Sequence, residues 1–454
     1  MIWEDDMNRR KWFLLLPLLI VVMILWPSEK AKAEMQPGWN KIDGKYYYCT
    51  EYGFVYSDGF YDIGSHRYYF DKNGVMQTGW IKDTVTDEQD GTVYTYWYHA
   101  AAGGAIDIGW KKIGDKWYYF DDYTGLMYTG WWYEDDKTYY LGDDGAMKTG
   151  WIKETYCYPT SGGSTATDVT WYYASSSGAL VSGWQKINNK WYYMDPDTNY
   201  MYAGDLYCIN DEWYFFTAGG ALAGAGWQST AHTVDGKKTW YYTKSDGTPE
   251  EGWKKIGGYW YYLYPEMVSD ELVYLDGKYE YFASNGIWKP MNAATGFQRS
   301  GSNVKYKKAD GTFAKGWQKV GAHYYYFDAS GNMKEGWVKD NGKWYYLYPE
   351  MAANTVIYPE EEGGKMYFVN ANGVMVTGGW AKETYTYNSA KYVTWYYADT
   401  SGALISGWKK INNKWYYFDD EFCFMYSDGW HQIGNTYYEF NMDGSWTGHS
   451  EPYI

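Results

Sequence analysis

Apolar and polar positions along the chain follow a short aromatic repeat. Gly-Trp recurs at Trp39, Trp80, Trp110, Trp131, Trp151, Trp184, Trp227, Trp253, Trp317, Trp337, Trp380, Trp408 and Trp430. The clearest unit is Trp110-Lys-Lys-Ile-Gly-Asp-Lys-Trp-Tyr-Tyr-Phe120, followed by Gly125-Leu-Met127. Asp-Gly and Asn-Gly pairs such as Asp43-Gly44, Asn73-Gly74 and Asn341-Gly342 punctuate the chain. They suit two-residue turns in which both positions need positive φ. Tyr-Tyr runs and regularly spaced glycines favour strands over helices. Each unit is predicted to be a short hairpin plus a connector. With Gly114-Asp115 as the turn, Ile113 faces Lys116 and Trp110 faces Tyr119. Alternation then puts Trp110, Lys112, Trp117 and Tyr119 on one side, and Ile113, Tyr118 and Phe120 on the other. One side is expected to build the core while the other presents aromatic faces.

A second period lies above the first. Trp-x6-Trp-Tyr-Tyr occurs as Trp110/Trp117, Trp184/Trp191, Trp253/Trp260, Trp337/Trp344 and Trp408/Trp415. Tyr-containing versions are Trp39/Tyr46, Trp317/Tyr324 and Trp430/Tyr437. Steps between strong pairs correspond to three short repeats, and the third unit usually carries an expanded loop, as from Trp80 to Trp97, Trp151 to Trp171, Trp227 to Trp240 and Trp380 to Trp395. Degenerate units fit near Asp205, Tyr274, Met291 and Tyr358. Units of this kind bury their apolar faces only against neighbours.

Composition changes the picture in one respect. The chain has 454 residues, 29 Trp and 57 Tyr, so aromatic rings supply the burial that aliphatic residues usually supply. The formal charge is −16, with no dense Lys/Arg run beyond residue 11, which argues against a nucleic-acid partner. Arg9, Arg10 and Lys11 precede an apolar stretch from Trp12 to Trp26, and Ala31-Lys32-Ala33 offers a small-x-small cleavage site. Residues 1–33 are therefore expected to be a signal peptide and 34–454 a continuous repeat array, with an uncleaved anchor as the alternative. No stable membrane span is expected after cleavage. Cys49, Cys157, Cys208 and Cys423 are far apart and read as four isolated, partly buried thiols, although one bridge stays open. Their spacing does not suit a metal cluster. The six His and the paired acids Asp121-Asp122, Asp135-Asp136 and Glu360-Glu361 form no recurring catalytic arrangement, so neither catalysis nor a cofactor is expected.

Gly336-Trp-Val-Lys-Asp-Asn-Gly-Lys-Trp-Tyr-Tyr346 and Gly252-Trp-Lys-Lys-Ile-Gly-Gly-Tyr-Trp-Tyr-Tyr262 resemble the choline-binding, or cell-wall-binding, repeats of Gram-positive surface proteins. The resemblance extends over residues 38–449. It implies an all-β hairpin solenoid with about three hairpins per turn, and ligand sites between consecutive hairpins built from two Trp of one unit and a Tyr of the next. By position, Trp110 and Trp117 are to be completed by Tyr139 or Tyr140. Trp184 and Trp191 take Tyr214, and Trp253 and Trp260 take Tyr281. Trp337 and Trp344 take Tyr367, and Trp408 and Trp415 take Tyr438. Met127, Met201 and Met425 occupy the family's Gly-x-Met place. The strong pair after Trp253 comes one unit late, since Trp317 pairs only with Tyr324. Pairs 337 and 408 should thus lie about a third of a turn from the first three.

The physical chemistry stands beside that resemblance. A quaternary ammonium has no N–H donor and is best held by ring faces, each contributing about 0.5–2 kcal/mol. Several weak sites on one repetitive polymer gain strongly from multivalency. The leading expectation is a secreted, non-catalytic protein of the bacterial cell wall or surface that attaches to phosphocholine-bearing teichoic acid. The alternatives are a glucan- or host-glycan-binding array using the same rings, and a spacer with purely structural repeats. Self-association is left open.

Overall fold

The computed structural model describes residues 35–87, 90–359 and 363–453. The expected signal segment at 1–33 lies outside the described residues. Among the described residues there is no helix, and eighteen antiparallel β-hairpins follow one another. The described residues fall into two compact units, the first within 35–150 and 174–179 and the second within 151–173 and 180–453. No helix is long and apolar enough to cross a membrane among the described residues.

The turns explain the sequence punctuation. Asp135 and Asp136 both have positive φ, as do Asn188 and Asn189, and Asn412 and Asn413. Two such residues give the turn whose twist matches the flanking strands. The registers follow, with Trp110 opposite Tyr119 and Ile113 opposite Lys116. The Gly of each Gly-Trp also has positive φ at the short-hairpin pairs (Gly109 65°, Gly183 70°, Gly252 74°), which is why a side-chain-bearing residue is disfavoured there.

Many hairpins are joined edgewise by a backbone hydrogen bond from a connector to the preceding hairpin. Met147 N–H donates to Trp117 O, Leu222 N–H to Trp191 O, and Met375 N–H to Trp344 O, at 2.8, 2.8 and 2.9 Å. The connector side chain then lies under a glycine of the next connector. A Cβ at Gly145 would run into Met127, at Gly220 into Met201, and at Gly286 into Met267. The residue at or next to the end of the second strand builds the core: Phe120, Leu141, Met194, Phe216, Leu263 and Phe418 are 0% exposed.

The expected two-sided division holds for Tyr118 and Phe120, which are buried, and for Trp117, which is exposed. Tyr119 departs from it. It was expected beside Trp117 on the presenting side, but it is buried against Trp132 at 4.0 Å and donates to Asp122. The aromatic ring of the following hairpin covers it.

The triplet arithmetic can be checked directly. Between Trp253 and Trp317 stand the hairpins beginning at Gly252, Glu271 and Gly296, so the count is three. Tyr279, in the second of these, donates to Glu335, which immediately precedes the hairpin three places on. Within the second unit the long hairpins also meet at their tips. Lys391 N–H donates to Ser164 Oγ at 2.6 Å and Val393 N–H to Ser161 Oγ at 2.8 Å. Asp235 N–H donates to Thr386 O at 2.8 Å. One long tip is thereby gripped by two others more than 140 residues away in sequence.

Candidate functional site

The register places three rings around the ligand-site candidates at Trp184, Trp337 and Trp408. The first-strand Trp lies opposite a Tyr and the second-strand Trp opposite a Lys, as in Trp184 with Tyr193 and Lys186 with Trp191. The residue two places before the buried residue that closes the next hairpin supplies the third ring. Trp184 meets Trp191 at 6.3 Å and 87°, and Tyr214 at 5.2 Å and 80°. Trp337 meets Trp344 at 6.2 Å and Tyr367 at 5.3 Å. Trp408 meets Trp415 at 6.4 Å and Tyr438 at 5.0 Å, with Trp446 adding a fourth ring at 5.8 Å. Trp191, Trp344 and Trp415 keep 45%, 39% and 42% of their surface exposed, which separates them from the sealed core rings. The cross-strand lysines lie over the same indoles: Lys186 over Trp191 at 5.7 Å, Lys339 over Trp344 at 5.3 Å and Lys410 over Trp415 at 6.0 Å.

The first pair takes one of its two expected tyrosines, and the third departs from the expected set. At the first, Tyr139 is the partner of Trp110 (5.0 Å), while Tyr140 packs on Trp131 at 4.7 Å. The Trp110 indole donates to Glu134 at 2.6 Å. At the third, Tyr281 does not join Trp253 but packs on Phe297 at 5.1 Å. The reason is a one-residue difference in strand content: the middle position of Lys278–Phe282 is Glu280, not Tyr. Trp288 supplies the missing ring, 5.9 Å from Trp253, and its indole donates to Glu280 at 2.9 Å. Glu280 is 3% exposed, with Arg299 at 2.6 Å and Lys278 at 3.3 Å balancing its charge. Trp253, Trp260, Trp288 and Glu280 line a cavity of about 270 Å³ with Leu275, Asp276 and Lys278.

The long hairpins carry trios that fixed spacing missed. Trp80 meets Trp97 at 6.4 Å and Tyr118 at 5.0 Å. Trp151 meets Trp171 at 6.3 Å and Tyr192 at 5.0 Å, and Trp380 meets Trp395 at 6.2 Å and Tyr416 at 5.1 Å. Pairing explains them, because Lys82 lies opposite Trp97 as Lys112 lies opposite Trp117. Counting back from the Trp-Tyr of the second strand, rather than forward across the loop, would have found them. The methionines belong here too. Met127, Met201 and Met425 donate their backbone N–H groups to the carbonyls of Trp97, Trp171 and Trp395, which ties each of them to a long hairpin.

Other chemistry is sparse. Cys49 and Cys423 are buried, Cys157 and Cys208 are exposed, and all four are free. The expectation of partial burial therefore fails for Cys157 and Cys208, which lie in outward-facing strand positions. No group of three or more His, Cys, Asp and Glu gathers to hold a metal among the described residues.

A family model described as a choline-binding repeat matches residues 108–151 and 314–355. A second, described as a putative cell wall binding repeat, matches 58–76, 182–197, 251–265 and 406–421. The chain carries choline-binding, or cell-wall-binding, repeats. Those matched segments contain all five short-hairpin Trp pairs. Among curated proteins, glucosyltransferase-S of Streptococcus mutans is 29% identical over 294 residues, 56% of this chain and 19% of the relative. Glucosyltransferase-I of Streptococcus downei is 23% identical over 396 residues, 83% of this chain and 21% of the relative. The chain thus spans about a fifth of the length of these relatives. Among solved structures, choline binding protein F from Streptococcus pneumoniae is 24% identical, covering 75% of this chain and 100% of that chain, with a TM-score of 0.25. CbpJ from Streptococcus pneumoniae is 25% identical, covering 65% and 100%, with a TM-score of 0.25.

Proposed function

We propose that this protein is an exported, non-catalytic cell-surface protein that attaches to phosphocholine-bearing teichoic acid through its aromatic trios. One observation carries the reading: half-exposed, near-perpendicular Trp pairs are each completed by a ring from the next hairpin. Such a site offers π-faces, which suit a quaternary ammonium that has no N–H to donate. Each site would hold choline at about millimolar affinity, and recurrence along the chain would raise retention on a polymer. The family-model descriptions support the same ligand class. Free choline should quench Trp fluorescence in the purified chain and elute it from a resin bearing tertiary or quaternary amines. Failure of both would remove the reading.

The second reading is glucan or glycan binding on the same rings. It draws on the glucosyltransferase relatives and on the lysines that already occupy one side of Trp191, Trp344 and Trp415. A sugar stacks on a ring without competing with those cations. Capture by dextran that choline does not reverse would favour it.

A further inference from the structure

The wall of an aromatic cage includes a position that ring spacing alone does not show. At the Trp253 cage, Leu275 lines the cavity, and it stands at the end of the next hairpin's first strand, opposite Lys278. The same place is Ile113, Ile187, Ile209 or Ile411 in the hairpins that complete the cages at Trp80, Trp151, Trp184 and Trp380. Two hairpins break this pattern. Beside Trp110 the residue is Glu134, opposite Lys137, and beside Trp317 it is Asp340, opposite Lys343. Both carboxylates accept the indole N–H of the cage Trp, at 2.6 Å for Glu134 and 3.3 Å for Asp340. Those bonds hold a carboxylate at the edge of each cage. The rings around it are Tyr139, 5.0 Å from Trp110, with the exposed Trp117, and Tyr345, 4.9 Å from Trp317, with the exposed Tyr324.

Charge balance separates these two acids from Glu280 at the Trp253 cage. Glu280 is sealed and paired with Arg299 and Lys278, so its charge is neutralised within the protein. Glu134 and Asp340 are only half buried, and neither forms an ion pair among the described residues. A carboxylate beside ring faces adds a Coulombic attraction to whatever cation those faces hold. An uncharged group of the same shape gains nothing from that charge. A sugar hydroxyl could donate to the carboxylate, but it would donate equally to an amide oxygen. Charge is therefore what a carboxylate wall adds, and an Ile wall leaves selection to the rings alone.

We propose, on the reading of the cages as choline sites, that Glu134 and Asp340 are specificity-determining residues. They make the Trp110 and Trp317 cages the cation-selective sites of the array, one in each compact unit. The test titrates the full chain with choline and with dimethylbutanol, its uncharged isostere in which carbon replaces nitrogen, and follows the indole N–H resonances of each cage. The preference for choline over the isostere should be about fivefold greater at the Trp110 and Trp317 cages than at the Trp184 cage. Glu134→Gln and Asp340→Asn keep an acceptor for the indole and remove only the charge. Each should lower choline affinity about fivefold at its own cage and the isostere's far less, with the Trp184 cage unaffected. One common preference at all three cages, choline at the Trp184 cage alone, or an excess that survives the substitutions would overturn the proposal while the choline reading stands. Choline binding at none of the cages would overturn both. If a variant fails to fold, the comparison of cages in the native chain decides.

Discussion

The Trp184 and Trp253 sites share a hairpin layout and differ in one strand position. In the first, the next hairpin places Tyr214 against Trp184, and that third group is neutral. In the second, that position is Glu280, and a ring from elsewhere, Trp288, closes the cage over a buried carboxylate. The hairpin geometry therefore fixes where a third group must stand, but not what it is. A Tyr there needs only packing. A Glu needs Arg299, Lys278 and an indole N–H to be tolerated, since an uncompensated buried charge is costly. The two cages should then respond differently to the loss of the same position.

The largest difference is expected in stability. Glu280→Ala leaves Arg299 without its 2.6 Å partner and the Trp288 indole without an acceptor. The cost should be about 3–5 kcal/mol, read as a shift of the urea transition. Tyr214→Ala removes a half-buried ring and should cost only about 1–3 kcal/mol. Equal losses would mean that the ion cluster contributes nothing beyond packing.

What the cages have in common is the stack beneath them. Met201 lies under Gly220 at the first, and Met267 under Gly286 at the second. Both glycines have positive φ, at 77° and 76°. Gly220→Ala and Gly286→Ala should each cost about 1–3 kcal/mol through overpacking and backbone strain, and by similar amounts. A large difference in denaturation between these two variants would break the premise that the sites share one scaffold.

These cases show where the sequence was readable. Gly-Trp spacing and Asp/Asn/Gly turns announced the hairpins, and Gly114-Asp115 gave the observed register. Tyr214, Tyr367 and Tyr438 could be placed because each stands two residues before the buried residue that closes its hairpin, Phe216, Val369 and Phe440. Tyr281 misled because Lys278–Phe282 keeps the length while exchanging Tyr for Glu at the decisive place. Trp288 lies in a short extra strand, Trp288–Lys289, that no repeat period announces. The tip-to-tip bonds of Ser161, Ser164, Lys391 and Val393 were equally hidden, since polar loop residues carry no signal of a partner more than 200 residues away.

Ligand binding should show a smaller, symmetrical effect. Trp191→Ala at the neutral cage and Trp260→Ala at the acidic cage each remove one ring. Each should weaken choline at its own site by about 0.5–2 kcal/mol, roughly two- to thirtyfold. Indole N–H resonances of the remaining Trp residues would report the two sites separately. Tyr214→Ala and Trp288→Ala should match one another in the same assay. Loss at one cage alone would confine choline to that cage.

The smallest effect separates the two ligand readings. Lys186 lies 5.7 Å from the Trp191 ring centre, so a bound quaternary ammonium must share that ring with an existing cation. Two cations on one π-system weaken each other's attraction, both because the ring's quadrupole is shared and because like charges repel. Lys186→Met keeps the stem that packs along the strand and removes the charge. Choline at the Trp184 site should then bind about 0.5 kcal/mol more tightly, roughly a twofold change in the indole titration. A sugar stacked on Trp191 has no charge to be repelled and gains nothing from the substitution. It stands to lose a hydrogen-bond donor instead. Tighter choline binding with unchanged or weaker glucan binding is the expected pattern, and the reverse would assign the ring to carbohydrate.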